Sequence, residues 1–159
     1  MNYSEEIDYA ALDFDKETRS SAGAKSLVAP TFRATIKSPS DATEAHFSAN
    51  TFTYESLTEK TISVIGRYQA ANVIEQVAIV LPRNIEDGEY SVAPPEQNGV
   101  HIVLVLNGAI AHATKGTITI KRKSNNQIFE AIFDAEVERS EPKYKVTHGI
   151  VTLEATGPL

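Results

Sequence analysis

The side chains of this sequence best suited to acid–base or metal chemistry are its four histidines, which are scattered along the chain: His46, His101, His112 and His148. An imidazole changes charge near neutral pH and is a common metal ligand. No two of these residues have the close spacing typical of paired ligands on one strand or helix. The chain has no cysteine, which excludes disulfides, thiolate catalysis and cysteine-based zinc sites. We therefore predict no metal and no cofactor.

His101 and His112 are the pair that a hairpin would bring nearest to each other. The dipeptide Asn107-Gly108 is a strong signal for a two-residue hairpin turn. Such a turn places His101 opposite Thr114 and His112 opposite Val103. From this pairing we expect the two histidines on opposite sides of the sheet, where they would not share a metal ion.

His148 lies in the last predicted strand, and regular pairing places it opposite Phe133, pointing inward. There it would be a core histidine bonded to the backbone, or a pocket residue that contacts a ligand. Gly149 beside it suggests a β-bulge that would turn the ring elsewhere. An enzyme that uses His148 would need an acid such as Asp134, which the regular register places on the opposite face.

Arg122 and Tyr144 are two further polar side chains near the predicted core. Arg122 lies on the apolar face at the end of its strand, opposite Phe129, where it would close the core by stacking on the ring or would bind an anionic ligand. Tyr144 pairs with Val137 at the start of the last strand. The sequence thus offers four candidate ligand-binding residues and no catalytic residue: Arg122, His148, His101 and Tyr144.

Composition narrows the classes of function. Hydrophobic residues make up 42% of the chain and charged residues 23%, and the net charge is −6. Basic residues are scattered except at Lys121-Arg122-Lys123, so we predict no nucleic-acid partner. The sequence contains no G-x-S-x-G nucleophile motif and no G-x-G-x-x-G phosphate loop. These features make an enzyme the less favoured class.

The element best specified by the sequence is a three-stranded meander over residues 117–153. Asn125-Asn126 suits a tight turn, which pairs Ser124 with Gln127 and Arg122 with Phe129. A second hairpin pairs Val137 with Tyr144. In this register the apolar side chains of the middle strand face inward and its acids face outward: Phe129, Ala131, Phe133, Ala135 and Val137 against Glu130, Asp134, Glu136 and Glu138.

The rest of the chain reads as further strands. From Pro30 onward strand patterns recur at short spacing, with a weak strand over Ala45–Tyr54. This predicts an all-β fold of about nine or ten antiparallel strands, either a barrel or a two-sheet sandwich. Val100–Leu106 is apolar on both faces, which indicates that a second layer or a partner covers it.

Residues 1–28 differ from the remainder, which we predict to be a single antiparallel β domain over residues 29–159. Acidic residues crowd the first segment, and we expect an acidic arm or a short helix there. No stretch is long and apolar enough to predict a membrane span. The first residues lack the basic-then-apolar order of a signal peptide. We expect the chain as written to be cytoplasmic, and to be exported if an export signal has been trimmed from it.

Short apolar and glycine-containing landmarks follow one another over residues 30–155: Ile62–Gly66, Val77–Leu81, Asp87–Tyr90, Gly116–Ile120, Phe129–Phe133 and His148-Gly149. In order and spacing they resemble small bacterial all-β domains of uncharacterised function, some of them on exported lipoproteins. The resemblance implies a β architecture and transfers no catalytic residues.

The favoured hypothesis is a non-enzymatic binding module for a protein partner or a small apolar ligand. A barrel would offer an internal cavity, and a sandwich would offer an edge or a face that a homodimer would cover. Two alternatives stay open. One is an acidic inhibitor or immunity-type partner of a basic protein, and the other is an enzyme with a dispersed site around His148.

Overall fold

A computed structural model describes residues 29–38, 44–139 and 143–159 of the chain. The described residues form eleven β-strands and no helix. In chain order the strands are β1 (Thr31–Lys37), β2 (Glu44–Ser48), β3 (Thr51–Glu55), β4 (Thr61–Ala70), β5 (Val73–Pro82), β6 (Gly88–Ser91), β7 (His101–Leu106), β8 (Ala109–His112), β9 (Lys115–Lys123), β10 (Ile128–Val137) and β11 (Tyr144–Glu154). The predicted arm or helix at residues 1–28 lies outside the described residues.

The strands form two antiparallel sheets. Sheet A has the spatial order β2-β1-β11-β10-β9-β6, and sheet B has the order β3-β4-β5-β7-β8. The buried side chains of both sheets form one cluster between them. The prediction of an all-β fold is therefore confirmed as a sandwich, and the barrel alternative is wrong because the sheets do not close.

The hairpin between β9 and β10 has the register that the sequence predicts. Arg122 lies opposite Phe129, and Ile118 lies opposite Phe133. The turn Asn125-Asn126 has φ values of 58° and 70°, which lie in the left-handed region that Asn tolerates better than most residues. Turn chemistry and the apolar alternation of β10 agree on one register, and this prediction is confirmed.

The hairpin between β10 and β11 begins in the predicted register, with Val137 opposite Tyr144. Further along, the ladder shifts by one residue, so that Phe133 lies opposite Gly149 instead of His148. The Phe133 ring occupies the space that a Cβ on residue 149 would need. The predicted pairing of His148 with Phe133 is therefore wrong. The physical cause of the shift is a β-bulge, which places the Phe133 ring over Gly149, a residue without a side chain.

The weak strand predicted over residues 45–54 is two strands in different sheets. The chain leaves β2 in sheet A at Ala49, whose N–H donates to the carbonyl oxygen of Phe32 at 3.0 Å. The next residue, Asn50, donates to the carbonyl oxygen of Arg67 in sheet B at 2.8 Å. This crossing between sheets contributes to the excess of strands over the number predicted.

Aromatic side chains from both sheets meet in the core. Phe32 makes edge-to-face contacts with Phe47 and Phe133, at centroid distances of 6.0 and 6.1 Å. Tyr54, from sheet B, packs on Phe129 of sheet A at 5.4 Å. Each such pair contributes about 0.5–1.5 kcal/mol beyond the area that it buries, and the Tyr54–Phe129 contact helps to fix how the sheets stack.

Candidate functional site

Arg122 connects the two sheets. Its Nε donates a hydrogen bond to the Tyr54 hydroxyl at 2.9 Å, and its guanidinium lies 5.9 Å from the centroid of that ring. The hydroxyl in turn donates to the carbonyl oxygen of Asn126 at 2.6 Å. The backbone N–H of Arg122 donates to Asp87 at 2.9 Å. These contacts are those of a residue that closes the rim of the core, and binding of an anion by Arg122 stays a prediction.

Tyr54 is fully buried, and its phenol is the polar centre of this network. Burial raises the pKa of Tyr54, and the hydrogen bond and charge of Arg122 partly oppose that rise. The neutral phenol can donate to one partner and accept from the other at the same time. Its two hydrogen bonds therefore use both of its roles, and they join β3 of sheet B to the β9–β10 hairpin of sheet A.

His148 is exposed on the outer face of sheet A, so the prediction that it points inward is wrong. The bulge opposite Phe133 gives it a φ of 55°, a left-handed conformation that costs a residue with a Cβ of order 1–2 kcal/mol. His148 lines an open cleft of about 800 Å³, together with residues from β6, β9 and β10 such as Glu89, Thr117 and Asp134.

The cleft brings His148 and Asp134 to the same face, contrary to the predicted register. The two carboxylate oxygens of Asp134 accept hydrogen bonds from the backbone N–H and the hydroxyl of Thr117, at 3.3 and 3.0 Å. Asp134 is thus held by strand β9. Among the described contacts, no hydrogen bond joins it to His148. The cleft has the size of a ligand site, but its acid and imidazole do not form a catalytic pair.

His101 and His112 lie on the same face of sheet B, so the expectation of opposite sides is wrong. Val103 lies opposite His112, and residues paired across a ladder share a face. Val103 and His101 also share a face, because they are two residues apart on β7. Both histidines line an open hollow of about 240 Å³. The His101 Nδ1 lies 3.2 Å from the carbonyl oxygen of Ala93.

Tyr144 lies where one end of the sandwich opens between the sheets. It is half-buried and packs against the core. Together with Phe47 from sheet A and Leu106 from sheet B, it lines a hollow of about 150 Å³. Ligand pockets for small molecules usually measure about 300–1,000 Å³. The end hollow is therefore small for a ligand of that class.

The four predicted site residues therefore do not form one site. His148 lies in the cleft on sheet A, His101 beside the outer surface of sheet B, Tyr144 at the open end and Arg122 against Tyr54. Over the described ranges, no cluster of three or more His, Cys, Asp or Glu side chains has an arrangement that would hold a metal ion. Nor does any helix there have the length and apolarity needed to span a membrane.

The outer surface of sheet B carries an apolar feature of which the sequence predicted only the part on Val100–Leu106. Three neighbouring strands and the strand β4 beside them present apolar side chains away from the core. Adjacent members are paired across the strands, as Val105 is with Ile110 and Val103 with Ala78. We call this surface the apolar face of sheet B and define it by six residues: Ile65, Ala78, Val80, Val103, Val105 and Ile110.

A signal for this face is present in the sequence. Residues 97–114 contain no Asp, Glu, Lys or Arg, although charged residues make up 23% of the chain. The segment covers β7, β8 and the turn between them. Ile110, on β8, has 66% of its surface exposed. Charged residues are depleted at the cores of protein interfaces, so this uncharged segment is a signal that sequence reasoning could have used.

Sheet A has a different outer surface. Lys123 Nζ lies 3.1 Å from Glu130 Oε2, and Lys115 Nζ lies 3.7 Å from Glu136 Oε1. Such exposed pairs stabilise a fold by only about 0–1 kcal/mol, and they are typical of a surface that water covers. One exposed apolar pair, Ile132 opposite Ile150, interrupts this charged surface.

The clearest exposed ion pair among the described residues lies away from these surfaces. Both Nη atoms of Arg139 donate to the carboxylate of Glu96, each at 2.8 Å. This hydrogen-bonded contact lowers the pKa of Glu96 to about 2. The pair ties residue 96, in the loop before β7, to the end of β10.

Comparison with known proteins gives no relative from which a role could be transferred. A scan against family models, a search of curated proteins and a search of solved structures each found no match. The resemblance to small bacterial all-β domains therefore stays a prediction. A proposal about function must be based on the surfaces described above.

Proposed function

We propose that this chain is a non-enzymatic interaction module, and that it binds a protein partner through the apolar face of sheet B. The observation that carries the proposal is the contrast between the two outer surfaces. Sheet A exposes charged pairs such as Lys123 with Glu130. In the same kind of position sheet B presents the half-buried Val103 and Val105 and the exposed Ile110. One polar pair, Arg67 with Gln76, lies on this surface next to Val105.

Physical chemistry favours a covered sheet B. One face of an antiparallel sheet commonly packs on the core while the other is solvated and polar. A contiguous apolar patch on the solvated side is typical of an interaction surface. The partner would present a largely apolar surface, since the β7–β8 segment has no Asp, Glu, Lys or Arg side chain with which to form an ion pair.

The geometry gives less support to a small apolar ligand. The hollow between the sheets at their open end, beside Tyr144, is about 150 Å³. The larger cleft, beside His148, is open, and its lining mixes charged side chains such as Asp134 with apolar ones such as Ile132. A small apolar ligand needs a hollow that buries most of its surface, and neither hollow encloses a ligand in this way.

A catalytic role has support only from the cleft, where His148 and Asp134 share a face. Catalysis by such a pair requires a hydrogen bond between them or a substrate held by both. Asp134 is bonded to Thr117 instead. We therefore favour binding over catalysis.

The proposal is tested with a substitution on each outer surface. Val105→Lys places a charge on the apolar face of sheet B, and Ile132→Lys makes a similar change at an exposed position of sheet A. Immobilised wild-type, Val105→Lys and Ile132→Lys chains are compared for the proteins that they retain at low and at high salt. We expect the wild type and Ile132→Lys to retain the same partner at both salt concentrations, and Val105→Lys to lose it.

Two results would count against the proposal. Equal retention by Val105→Lys and the wild type would place the interface elsewhere. If the partner is lost at high salt, and if Val105→Lys retains it at low salt as well as the wild type does, the acidic-inhibitor alternative is favoured. Salt screens exposed charges and leaves apolar contacts intact. Circular dichroism of each variant controls for folding.

A further inference from the structure

Strand β8 is one of the two edge strands of sheet B in the part of the chain that the structure describes. Its pairing with β7 determines which of its main-chain groups are free. Leu106 and Ala109 flank the two-residue turn, and Ala113 N–H donates to the carbonyl oxygen of Ile102 at 2.9 Å. Hydrogen-bonded and non-hydrogen-bonded pairs alternate along an antiparallel ladder. Ile110 and His112 are therefore at non-hydrogen-bonded positions, and their N–H and C=O groups point away from β7.

The other edge strands of the two sheets carry charge, and β8 does not. Glu44 lies in β2, Glu55 in β3 and Glu89 in β6. Charged side chains on an edge strand oppose pairing with another chain. The edge of β3 is also covered by the C-terminal residues, since Thr156 N–H donates to the carbonyl oxygen of Tyr54 at 2.9 Å. Strand β8, with the sequence Ala-Ile-Ala-His, has no charge, proline or bulge.

The absence of charged side chains from β8 makes a second copy of this acidic chain a suitable partner for the edge. The whole chain carries a net charge of −6, so two copies repel each other over most of their surfaces. Residues 97–114 contain no Asp or Glu, and no Lys or Arg, so this repulsion is weakest where β7 and β8 lie. Two copies can approach here without placing acids against each other.

We propose that the partner at this edge is a second copy of the chain, paired with the first through β8 in an antiparallel dimer. This inference goes beyond the proposed function, because it concerns the edge of sheet B and leaves the apolar face open to a partner of its own. In the register that uses the free main-chain groups, Ile110 of one copy lies opposite His112 of the other, and the two Ala111 residues meet on the two-fold axis. Each Ile110–His112 pair exchanges two hydrogen bonds. The two sheets B become one continuous sheet, and the apolar face extends across the axis.

A proline scan of edge strands tests the pairing without disturbing the hairpins. Ile110→Pro removes an N–H that β7 does not use, so the β7–β8 ladder keeps its hydrogen bonds, and proline is tolerated at such edge positions. His46→Pro is the matched control in sheet A. Ala49 N–H donates to Phe32, so by the same alternation the His46 N–H points outward from the edge of β2.

Sedimentation equilibrium measures the outcome over a range of protein concentrations. We expect a concentration-dependent dimer for the wild type and for His46→Pro. The loss of one N–H from each copy removes half of the intersubunit hydrogen bonds. It should weaken the dimer of Ile110→Pro roughly ten- to a hundredfold. Ile110→Lys, which leaves the main chain intact and places two like charges near the axis, should do the same. Thermal unfolding shows whether each variant folds.

The failure of this inference is distinguishable from the failure of the proposed function. A wild type that is monomeric at every accessible concentration would overturn the β8 dimer, while the retention experiment with Val105→Lys would still test the apolar face. A dimer that resists Ile110→Pro and dissociates with Val105→Lys would refute the edge pairing and support face-to-face association. A dimer insensitive to Ile110→Pro, Ile110→Lys and Val105→Lys would overturn the edge pairing and place the dimer interface elsewhere on the chain.

Discussion

The hydroxyl of Tyr54 is the atom whose removal most directly tests how the two sheets are joined. Tyr54→Phe keeps the ring against Phe129 and removes a hydrogen bond to Asn126 at 2.6 Å and one from Arg122 at 2.9 Å. A hydrogen bond contributes about 0.5–1.5 kcal/mol net, and one with a charged group about 1.5–3 kcal/mol. Asn126 is exposed and Arg122 half-buried, so water compensates in part. We expect a loss of about 2 kcal/mol in the free energy of unfolding.

Urea unfolding followed by circular dichroism measures this loss, which corresponds to a fall of about 4–8 °C in Tm for a chain of this size. Tyr90→Phe is the matched control, because its hydroxyl also donates at 2.6 Å, to the carbonyl oxygen of Glu86, in an exposed setting. We expect that variant to lose less than about 0.5 kcal/mol. Equal losses for Tyr54→Phe and Tyr90→Phe would refute the view that the buried network joins the sheets.

Three further outcomes follow from the structure. Gly149→Ala should lower stability by about 1–3 kcal/mol in urea unfolding, because the Phe133 ring occupies the space of the added methyl; an unchanged midpoint would contradict the bulge packing. The pKa of Glu96 is lowered to about 2, so the stabilisation from its pair with Arg139 is present above about pH 4.5 and is lost as the pH falls towards 2. Arg139→Gln should remove this acid-dependent stabilisation. An NMR titration of that variant in which Glu96 still titrates near 2 would contradict the role of Arg139. Because the pKa of Tyr54 is raised, the stabilisation from its neutral phenol is complete below about pH 10 and declines as the pH rises through the raised value. The loss of stability at alkaline pH should therefore be smaller in Tyr54→Phe than in the wild type. Identical stability profiles at alkaline pH would contradict this.

The local pairing of the last strands could be predicted from the sequence because several signals agree there. The turn Asn125-Asn126 tolerates positive φ, and the alternation around Phe129 fixes which face is buried. A slip of one residue would expose that ring, so only one register satisfies both conditions. The register of the β7–β8 hairpin could likewise be predicted, because Asn107 and Gly108 both tolerate the positive φ of a two-residue turn.

The position of His148 could not be predicted, because it depends on how residues far apart in the sequence pack against each other. Both a regular ladder and a bulge are compatible with the local pattern of β11. The bulge is favoured because the Phe133 ring fits only opposite a residue without a Cβ, and Gly149 is that residue. The one-residue shift of the ladder places His148 in the cleft beside Asp134 and not in the core.

The arrangement of strands between the two sheets was likewise beyond the sequence pattern. Phe47 in β2 and Tyr54 in β3 are both buried and look like parts of one weak strand. They belong to different sheets because the chain crosses over at Ala49 and Asn50. The predicted pairing of His112 with Val103 is confirmed, and the error was in deducing from it that His101 lies on the other face. The predicted pairing of His101 with Thr114 is wrong, because Thr114 N–H donates to the carbonyl oxygen of Glu136 in sheet A.

The measurement that tests the central claim most directly is amide hydrogen exchange at β8 as a function of protein concentration. Ala111 donates within the hairpin and should be protected at every concentration, which makes it the internal control. The N–H groups of Ile110 and His112 point outward from the sheet, so they should exchange rapidly in dilute protein. We predict that both become protected as concentration rises, because the second copy accepts their hydrogen bonds. Rapid exchange of Ile110 and His112 at all concentrations, with Ala111 protected, would show that no second copy pairs with this strand.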